Sequence, residues 1–185
     1  MDGVYAFLAD GLEEVECLAA MDVLKRGGVK VTLVSVNGTC TVIGSHGFSI
    51  GTDREFSQID PSQADVLFLP GGMPGTTNLE NHEGLSAALK DAAAKNRRIA
   101  AICAAPSVLG KLGILDGKKA TCYPGFEEYL HGALHVEDGV VTDGNVTTAR
   151  GLGYALDLGL ELLRLLKGET VSNQVKEAIQ YERKK

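Results

Sequence analysis

The sequence predicts an α/β fold, with a mainly parallel sheet covered by helices on both faces and a small hairpin at the side. Three observations support this prediction. Short apolar runs such as Val4–Leu8 have the length of strands buried on both faces. Longer segments with helical periodicity alternate with these runs. Two pairs of short runs are joined by glycine-containing turns, which are typical of hairpins.

The elements follow in order. Buried strands are predicted at Val4–Leu8, Val29–Val36, Asp65–Leu69, Ile99–Ile102 and, as a shorter one, Ala120–Cys122. Helices are predicted at Leu12–Lys25, Glu83–Lys95, Tyr154–Leu166 and Val171–Tyr181, with a short one beginning near Pro106. Cys40–Ile43 and Phe48–Ile50 form the side hairpin, and Val140–Val141 and Val146–Thr148 a second one across Asp143-Gly144. We expect one domain over residues 1–185, because this length suits one core and no linker or repeat interrupts it.

Composition and charge argue against several classes of protein. A net charge of -6 disfavours nucleic acid or an anionic membrane as the main partner. No apolar run reaches the length of a membrane span, and no signal-peptide pattern is expected at the N-terminus. The four cysteines are scattered, without a Cys/His pair at zinc spacing: Cys17, Cys40, Cys103 and Cys122. We therefore expect free thiols in a reducing cytoplasm, with no metal and no cofactor.

Cys103 lies between the apolar run Ile99–Ile102 and the helix that begins near Pro106. A residue at such a joint turns sharply, and its side chain projects from the carboxyl edge of the sheet. The N–H groups of a helix start favour a thiolate there. Small neighbours such as Ala104 leave room for a reacting group. The alternative is a buried cysteine that acts as a small hydrophobe, the usual state of a free cysteine.

Glu16 falls within the apolar stripe of the first predicted helix. That stripe is predicted to contain Leu12, Val15, Ala19 and Val23. A carboxyl group on an inward face is costly unless it is paired or protonated. A protonated Glu16 would donate a hydrogen bond to a thiolate and carry protons. In the alternative, Glu16 lies at the edge of the stripe and pairs with a basic residue. Glu13 and Glu14 are explained by the helix dipole alone.

Gly71 and Gly72 follow the predicted strand Asp65–Leu69 after Pro70, and their backbone N–H groups are not covered by side chains. Together with the N–H of Ala104 they suit an oxyanion hole, although a tight turn is the commoner use of this dipeptide. The strand ends near Asp10, Gly72 and Cys103 converge if their strands are neighbours. The histidines all lie in predicted loops, where solvated side chains are commoner than catalytic ones: His46, His82, His131 and His135.

Three motifs together resemble the ThiJ/PfpI superfamily. They are Gly11-Leu-Glu-Glu-Val-Glu16, Leu69-Pro-Gly-Gly72 and Ala100-Ala-Ile-Cys-Ala-Ala-Pro106, and the match continues in order to Ala149-Arg-Gly-Leu-Gly153 and the last helix. Within the superfamily the chain is similar to the branch of the Parkinson-associated deglycase and its bacterial YajL-type relatives. The resemblance implies a flavodoxin-like three-layer sandwich of the class I glutamine amidotransferase-like type. It also implies Cys103 as a nucleophile on an elbow, Glu16 as its proton shuttle, and Gly72 and Ala104 as donors to a substrate oxyanion.

The resemblance also implies an activity. The activities associated with the family are cofactor-free conversion of 2-oxoaldehydes such as methylglyoxal and glyoxal to hydroxy acids (glyoxalase III type), repair of glycated adducts, oxidative-stress sensing through a cysteine sulfinate, and chaperone-like behaviour. We expect the first of these activities, the conversion of 2-oxoaldehydes. The alternative is a sensor or chaperone-like protein that works through oxidation of Cys103 to sulfinate, without turnover. Ala104 stands where the peptidase branch has a histidine, which argues against a peptidase.

Two positions depart from the pattern of the deglycase branch. Tyr123 precedes Pro124 where that branch has a histidine, and a tyrosine hydroxyl is a donor but a poor base at neutral pH. His46 occupies the position of a family arginine in the hairpin and is a candidate base that would act across a dimer interface. The resemblance implies a homodimer through the first helix, here with Val15, Asp22 and Arg26.

Overall fold

A mainly parallel seven-stranded sheet lies between two layers of helices in the computed structural model, which describes residues 3–182. Within these residues the strands are β1 (Val4–Leu8), β2 (Val31–Ser35), β3 (Thr41–Ile43), β4 (Ser49–Gly51), β5 (Arg54–Glu55), β6 (Val66–Leu69), β7 (Arg98–Ile102), β8 (Lys119–Ala120), β9 (Leu134–His135), β10 (Val140–Asp143) and β11 (Val146–Ala149). The helices are α1 (Glu14–Arg26), α2 (Gly75–Glu80), α3 (Glu83–Ala94), α4 (Pro106–Lys111), α5 (Ala155–Lys167) and α6 (Glu169–Ala178). Met1 and Asp2, where the sequence predicts no signal peptide, lie outside the described residues.

The main sheet has the strand order β10-β11-β7-β6-β1-β2-β5, and all neighbours are parallel except β10 and β11. Its five longer parallel strands follow the flavodoxin-like order, in which the chain reverses direction across the sheet beside the first strand. The predicted fold class is therefore confirmed. The position between β1 and β6 is the switch point, where ligand sites form at the carboxyl ends of strands.

Alternate residues of β1 enter two separate cores. Ala6 and Leu8 face the layer of α1, α5 and α6, whereas Tyr5 and Phe7 face α2, α3 and α4. Burial on both faces explains why β1 and β6 are continuous apolar runs rather than alternating ones. No helix in residues 3–182 combines the length and the hydropathy that crossing a membrane requires.

Strands β3 and β4 form the predicted side hairpin, which packs on the turn between β1 and α1. The N–H of Gly11 donates to the carbonyl of Ile43 at 2.8 Å, and the N–H of Ile43 donates to the carboxylate of Asp10 at 2.8 Å. The second predicted hairpin, β10 and β11, is also present and pairs Asp143 with Val146.

The predicted stripe of α1 is wrong at Val15, whose side chain is 50% exposed. The face toward the core instead carries Cys17, Ala20, Met21 and Leu24, which have the i, i+3, i+4, i+7 spacing of one helix face. Among the strands and α-helices of residues 3–182, three have no counterpart in the prediction: α2, β5 and β9. Helix α2 has the sequence Gly-Thr-Thr-Asn in its first turns, and these residues are weak helix formers.

Candidate active site

Cys103 directly follows β7 in a left-handed backbone conformation, with φ +65°. This conformation costs roughly 1–3 kcal/mol for a residue other than glycine and persists only where neighbouring contacts fix it. Here the Cys103 N–H donates to the carbonyl of Ala149 at 2.9 Å, and the N–H of Tyr123 donates to the Cys103 carbonyl at 2.8 Å. The thiol is partly accessible. This is the geometry of a nucleophile elbow, as the sequence predicts.

Glu16 lies in the first turn of α1 with only 1% of its surface exposed. One carboxyl oxygen, Oε2, accepts the N–H of Gly71 at 3.1 Å. The carboxyl group also accepts the N–H of Leu152 and is hydrogen-bonded to the thiol of Cys103. Within residues 3–182, no basic side chain forms an ion pair with Glu16. The arrangement therefore matches the protonated-carboxyl interpretation and not the alternative with a basic partner.

The surroundings of Glu16 adapt it to carry a proton. Burial and the nearby charge of Glu13 raise the pKa of its carboxyl group, and hydrogen bonds from Cys103 and Gly71 lower it, so that the net result is a pKa of about 7. A group with a pKa near neutrality gains and loses a proton readily at physiological pH. Glu16 can therefore act as both general acid and general base.

The protonation state of Cys103 depends on Glu16. Burial and an ionised Glu16 raise the pKa of the Cys103 thiol to about 12, whereas the N–H groups of Ala104 and Gly72 lower it. The sequence predicts a thiolate favoured by the helix start, but α4 begins only at Pro106. A protonated Glu16 carries no negative charge and donates to the sulfur, which favours the thiolate. A thiolate at Cys103 is therefore favoured when the pair shares a single proton that lies on Glu16.

Gly72 and Ala104 direct their backbone N–H groups at the sulfur of Cys103. Gly71 does not contribute to this pair, because its N–H is bonded to Glu16. A Cβ atom at Gly71 would lie 2.5 Å from the Cβ of Cys103, so only glycine fits there. Gly72 has φ +89°, a conformation that glycine adopts without strain. The two N–H groups suit the stabilisation of an oxygen anion formed next to the sulfur.

Tyr123 lies beside the elbow, and the structure ties it to Cys103 through its backbone. Its side chain is 50% exposed and lies over Gly151, where a Cβ atom would come within 3.3 Å of the ring. Tyr123, Arg150 and Leu152 contribute to a shallow cavity of about 260 Å³. The ring therefore forms part of the wall of this cavity.

His46 is held by the first turn of α1 in its own chain. Its Nδ1 lies 3.0 Å from Oε2 of Glu14 and 3.8 Å from Oε1 of Glu13, and its backbone N–H donates to Glu14 at 2.9 Å. The hydrogen bond that the imidazole donates to Glu14 raises the pKa of His46. The contacts of His46 do not include Cys103 or Glu16. Glu14, which the sequence analysis assigned to the helix dipole alone, is buried and anchors the hairpin.

The chain shows sequence similarity to known proteins over most of its length. The sequence profile of the DJ-1/PfpI family matches residues 2–165. Protein dj-1beta of Drosophila melanogaster is 38% identical over 170 residues, which cover 91% of each protein. Protein DJ-1 homolog B of Arabidopsis thaliana is 39% identical over 91% of this chain and 39% of its own length. The chain thus spans less than half of the length of the Arabidopsis relatives A and B.

Solved structures show the same fold. Oxidized Toxoplasma gondii DJ-1 superposes with a TM-score of 0.93 and 31% identity, covering 97% of this chain and 98% of that one. Drosophila melanogaster DJ-1beta superposes with a TM-score of 0.92 and 34% identity, covering 99% of this chain and 100% of that one. The likeness in backbone therefore extends over nearly the whole chain, including the strand ends that carry Cys103 and Gly72.

Proposed function

This chain belongs to the DJ-1/PfpI family, and we propose that it converts 2-oxoaldehydes such as methylglyoxal and glyoxal to hydroxy acids without a cofactor. The observation that supports this is the hydrogen-bonded pair of Cys103 and Glu16, with the N–H groups of Gly72 and Ala104 at the sulfur. A thiolate, a proton carrier and an oxyanion hole are the groups that this reaction needs. Glycated adducts of the same aldehydes are substrates of the same chemistry.

The first step is addition of the Cys103 thiolate to the aldehyde carbon of methylglyoxal. A C–S bond forms, and the electron pair of the carbonyl moves to its oxygen. The N–H groups of Gly72 and Ala104 stabilise this oxyanion, and Glu16 then gives it a proton. The product is a hemithioacetal on Cys103, with Glu16 left as a carboxylate that can act as a base.

The second step moves a hydrogen between the two carbons. Glu16 removes the proton from the former aldehyde carbon, which produces an enediolate, and returns it to the neighbouring carbon. The hydroxyl proton on the first carbon passes to the oxygen of the second, leaving a thioester of lactate. Water, deprotonated by Glu16, cleaves the C–S bond, so that lactate leaves and the pair again shares one proton. Methylglyoxal and water thus give lactate and one proton.

In this scheme Glu16 carries the protons that move to and from carbon and the proton taken from water. The scheme explains how the site can work with Tyr123 in place of the family histidine, because the hydroxyl of Tyr123 need only donate to a bound molecule. It also requires nothing of His46, whose Nδ1 lies 3.0 Å from Glu14. The test is incubation of the purified protein with methylglyoxal in the absence of glutathione. Lactate in excess over protein supports the proposal, whereas loss of aldehyde without lactate means that thiols merely trap it.

A second candidate function is sensing of oxidants, and the partly accessible thiol of Cys103 supports it. A sulfinate at this position would accept hydrogen bonds from Gly72, Ala104 and a protonated Glu16, which would stabilise it. We expect mild peroxide treatment to add two oxygens to Cys103, while the buried thiols of Cys17 and Cys122 stay reduced. Intact mass and peptide mapping measure this, with exposed Cys40 as the internal comparison. Equal oxidation of Cys40 and Cys103 would argue against a sensing site.

We also propose that the protein is a cytoplasmic homodimer that uses α1. Val15 and Leu18 are 50% and 42% exposed on this helix, and the Asp22–Arg26 ion pair of 2.6 Å lies beside them. Apolar side chains so exposed on one helix fit a protein interface. The free state of all four cysteines suits a reducing compartment.

Val15→Arg is expected to convert the dimer to a monomer, because it places a charge in the centre of an apolar contact. Light scattering after size-exclusion chromatography measures the mass. Leu134→Arg is the matched control, since Leu134 is 60% exposed on a different element. A Val15→Arg protein that keeps the mass of the parent dimer would refute an interface through α1.

A further inference from the structure

We propose that Cys122, Glu127 and His135 form a binding site for a divalent transition-metal ion of the zinc type, outside the Cys103 pair. A sulfur, a carboxylate oxygen and an imidazole nitrogen from these residues all lie within 4.8 Å of one another. These are the three ligand types that zinc sites use. Three protein ligands leave a fourth position for water, which is typical of sites where the ion exchanges or reacts.

The backbone fixes the three residues from three segments. Cys122 follows β8, Glu127 begins the 3-10 helix Glu127–Tyr129, and His135 ends β9. Strands β8 and β9 are paired in parallel with Ala120 opposite His135, and the N–H of Val136 donates to the carbonyl of Ala120 at 3.0 Å. This pairing holds His135 beside the segment that carries Cys122.

Glu127 is oriented as well. Its Oε2 accepts the N–H of Gly125 at 2.8 Å, and the carboxyl group also accepts the N–H of Glu127 itself. A carboxylate has about four lone-pair positions, so others are available to an ion. In a tetrahedral zinc site the ligand atoms are separated by roughly 3.3–3.8 Å, as follows from metal–ligand distances of about 2.0–2.3 Å. Closing the present separation around an ion therefore requires side-chain rotations of Glu127 and His135, both of which are exposed. A hydrogen bond from the backbone to a ligating carboxylate is a common feature of metal sites.

The charged groups beside Cys122 include the carboxylate of Glu127 and the guanidinium of Arg150. A dication bound to the sulfur favours the thiolate, and the thiol proton would pass to solvent. The thiolate and the carboxylate of Glu127 would together outnumber the single positive charge of Arg150, which opposes the ion.

The location also connects this site to the elbow. Cys122 precedes Tyr123, whose N–H donates to the Cys103 carbonyl at 2.8 Å. A second cluster, formed by Glu13, Glu14 and His46, also has its ligand atoms within 4.8 Å of one another. It contains no sulfur, and Glu14 already accepts the N–H groups of His46 and Phe48. It therefore serves as the comparison, because an ion there would give no thiolate signal.

The test uses the full chain with Cys103→Ala, so that the reactive thiol takes no part. Titration with Co²⁺ reports sulfur ligation through a thiolate-to-cobalt charge-transfer band, and Zn²⁺ is then added in competition. We expect one equivalent of Co²⁺ to give the band and Zn²⁺ to remove it. Cys122→Ser in this background should abolish the band, and His135→Ala and Glu127→Gln should each weaken binding about ten-fold or more.

Two matched controls are Cys40→Ser, which removes an exposed thiol elsewhere, and His131→Ala, which removes a nearby exposed histidine outside the cluster. Both should bind as the background protein does. Circular dichroism verifies that each variant is folded. A band that survives Cys122→Ser, a band that disappears in Cys40→Ser, or no band with Co²⁺ in excess would each overturn the proposal. None of these readouts depends on turnover, so the result is separate from the fate of the proposed function.

Discussion

Replacing Cys103 with alanine is expected to reduce the conversion of methylglyoxal to hydroxy acid at least about 10³-fold, which is the scale seen when an attacking nucleophile is removed. Without the sulfur no hemithioacetal forms on the protein, and Glu16 has no substrate carbon to act on. The remaining groups, the N–H groups of Gly72 and Ala104, polarise an aldehyde but cannot move its hydrogen. The measurement is the rate of lactate formation without glutathione.

Cys103→Ser is the stricter variant, because it keeps the size and a hydrogen-bonding atom. Serine should also be inactive, since a hydroxyl has a far higher pKa than a thiol and Glu16 cannot hold it as an alkoxide. Cys40→Ser is the control, because Cys40 is an exposed free thiol away from the elbow, and it should retain the activity of the parent. Full activity in Cys103→Ala would refute the scheme.

Glu16→Gln is expected to lower turnover by about 10²–10⁴-fold, the usual contribution of a positioned acid or base. Glutamine keeps the shape and can still accept the N–H of Gly71, which Glu16 accepts at 3.1 Å. What it cannot do is give and take a proton. In the parent, activity should rise with pH through about 7, where the carboxyl group titrates, because below this pH the pair holds two protons and lacks a thiolate. In Glu16→Gln the residual reactivity of Cys103 should not show this rise with pH through about 7.

Glu16→Gln should also raise the free energy of unfolding at high pH. Burial raises the pKa of Glu16 from 4.5 to about 7, so the folded state binds this proton more tightly than the unfolded chain. Stability therefore falls as pH rises from about 4.5 to about 7, and the loss is complete above that range. It amounts to about 3 kcal/mol at most. Glu16→Gln should recover most of it at pH 8 and little at pH 4, as measured by chemical denaturation.

Glu14→Gln is the comparison with the opposite sign. Burial raises the pKa of Glu14, but hydrogen bonds from His46 and from the hairpin backbone outweigh this and lower it. Ionised Glu14 therefore stabilises the folded state above the ordinary pKa of glutamate, and this contribution is lost as pH falls. Glu14→Gln should destabilise the protein at neutral pH and have little effect in acid. If both variants changed stability in the same direction at pH 8, the assignment of the buried carboxylates would be wrong.

The fold could be predicted because its signals are local. Strands such as β1 and β6 are buried on both faces and are therefore continuous apolar runs, and glycine or proline marks where they end. The sequence does not distinguish exposed Val15 from a core residue, because an apolar residue on a helix does not show which surface it faces. Its exposure fits a partner surface rather than the core. The sequence does not predict helix α2, because Thr76, Thr77 and Asn78 are weak helix formers that only the surrounding structure keeps helical.

The site could be predicted only in part, because only some of its contacts join residues that are close together in the sequence. The elbow at Cys103 is carried by one short stretch of strand, turn and helix, and is visible in the sequence. The hydrogen bond from Leu152 to Glu16 joins residues far apart in the chain, and only the folded sheet brings them together. The Cys122, Glu127 and His135 cluster was likewise missed, because its ligands come from three segments without a recognised spacing. The tertiary arrangement also determines that Glu16, and not the helix start, controls the thiol of Cys103.

The most direct measurement is the conversion of methylglyoxal in D₂O without glutathione, followed by proton NMR of the lactate. If Glu16 takes the hydrogen from one carbon and exchanges it with solvent before returning a proton to the other, lactate will carry deuterium on its hydroxyl-bearing carbon. We expect this labelled lactate in excess over protein, and its absence with Cys103→Ala. Labelled lactate formed equally fast by Cys103→Ala, or an absence of lactate from the parent protein, would contradict the role given to the Cys103–Glu16 pair.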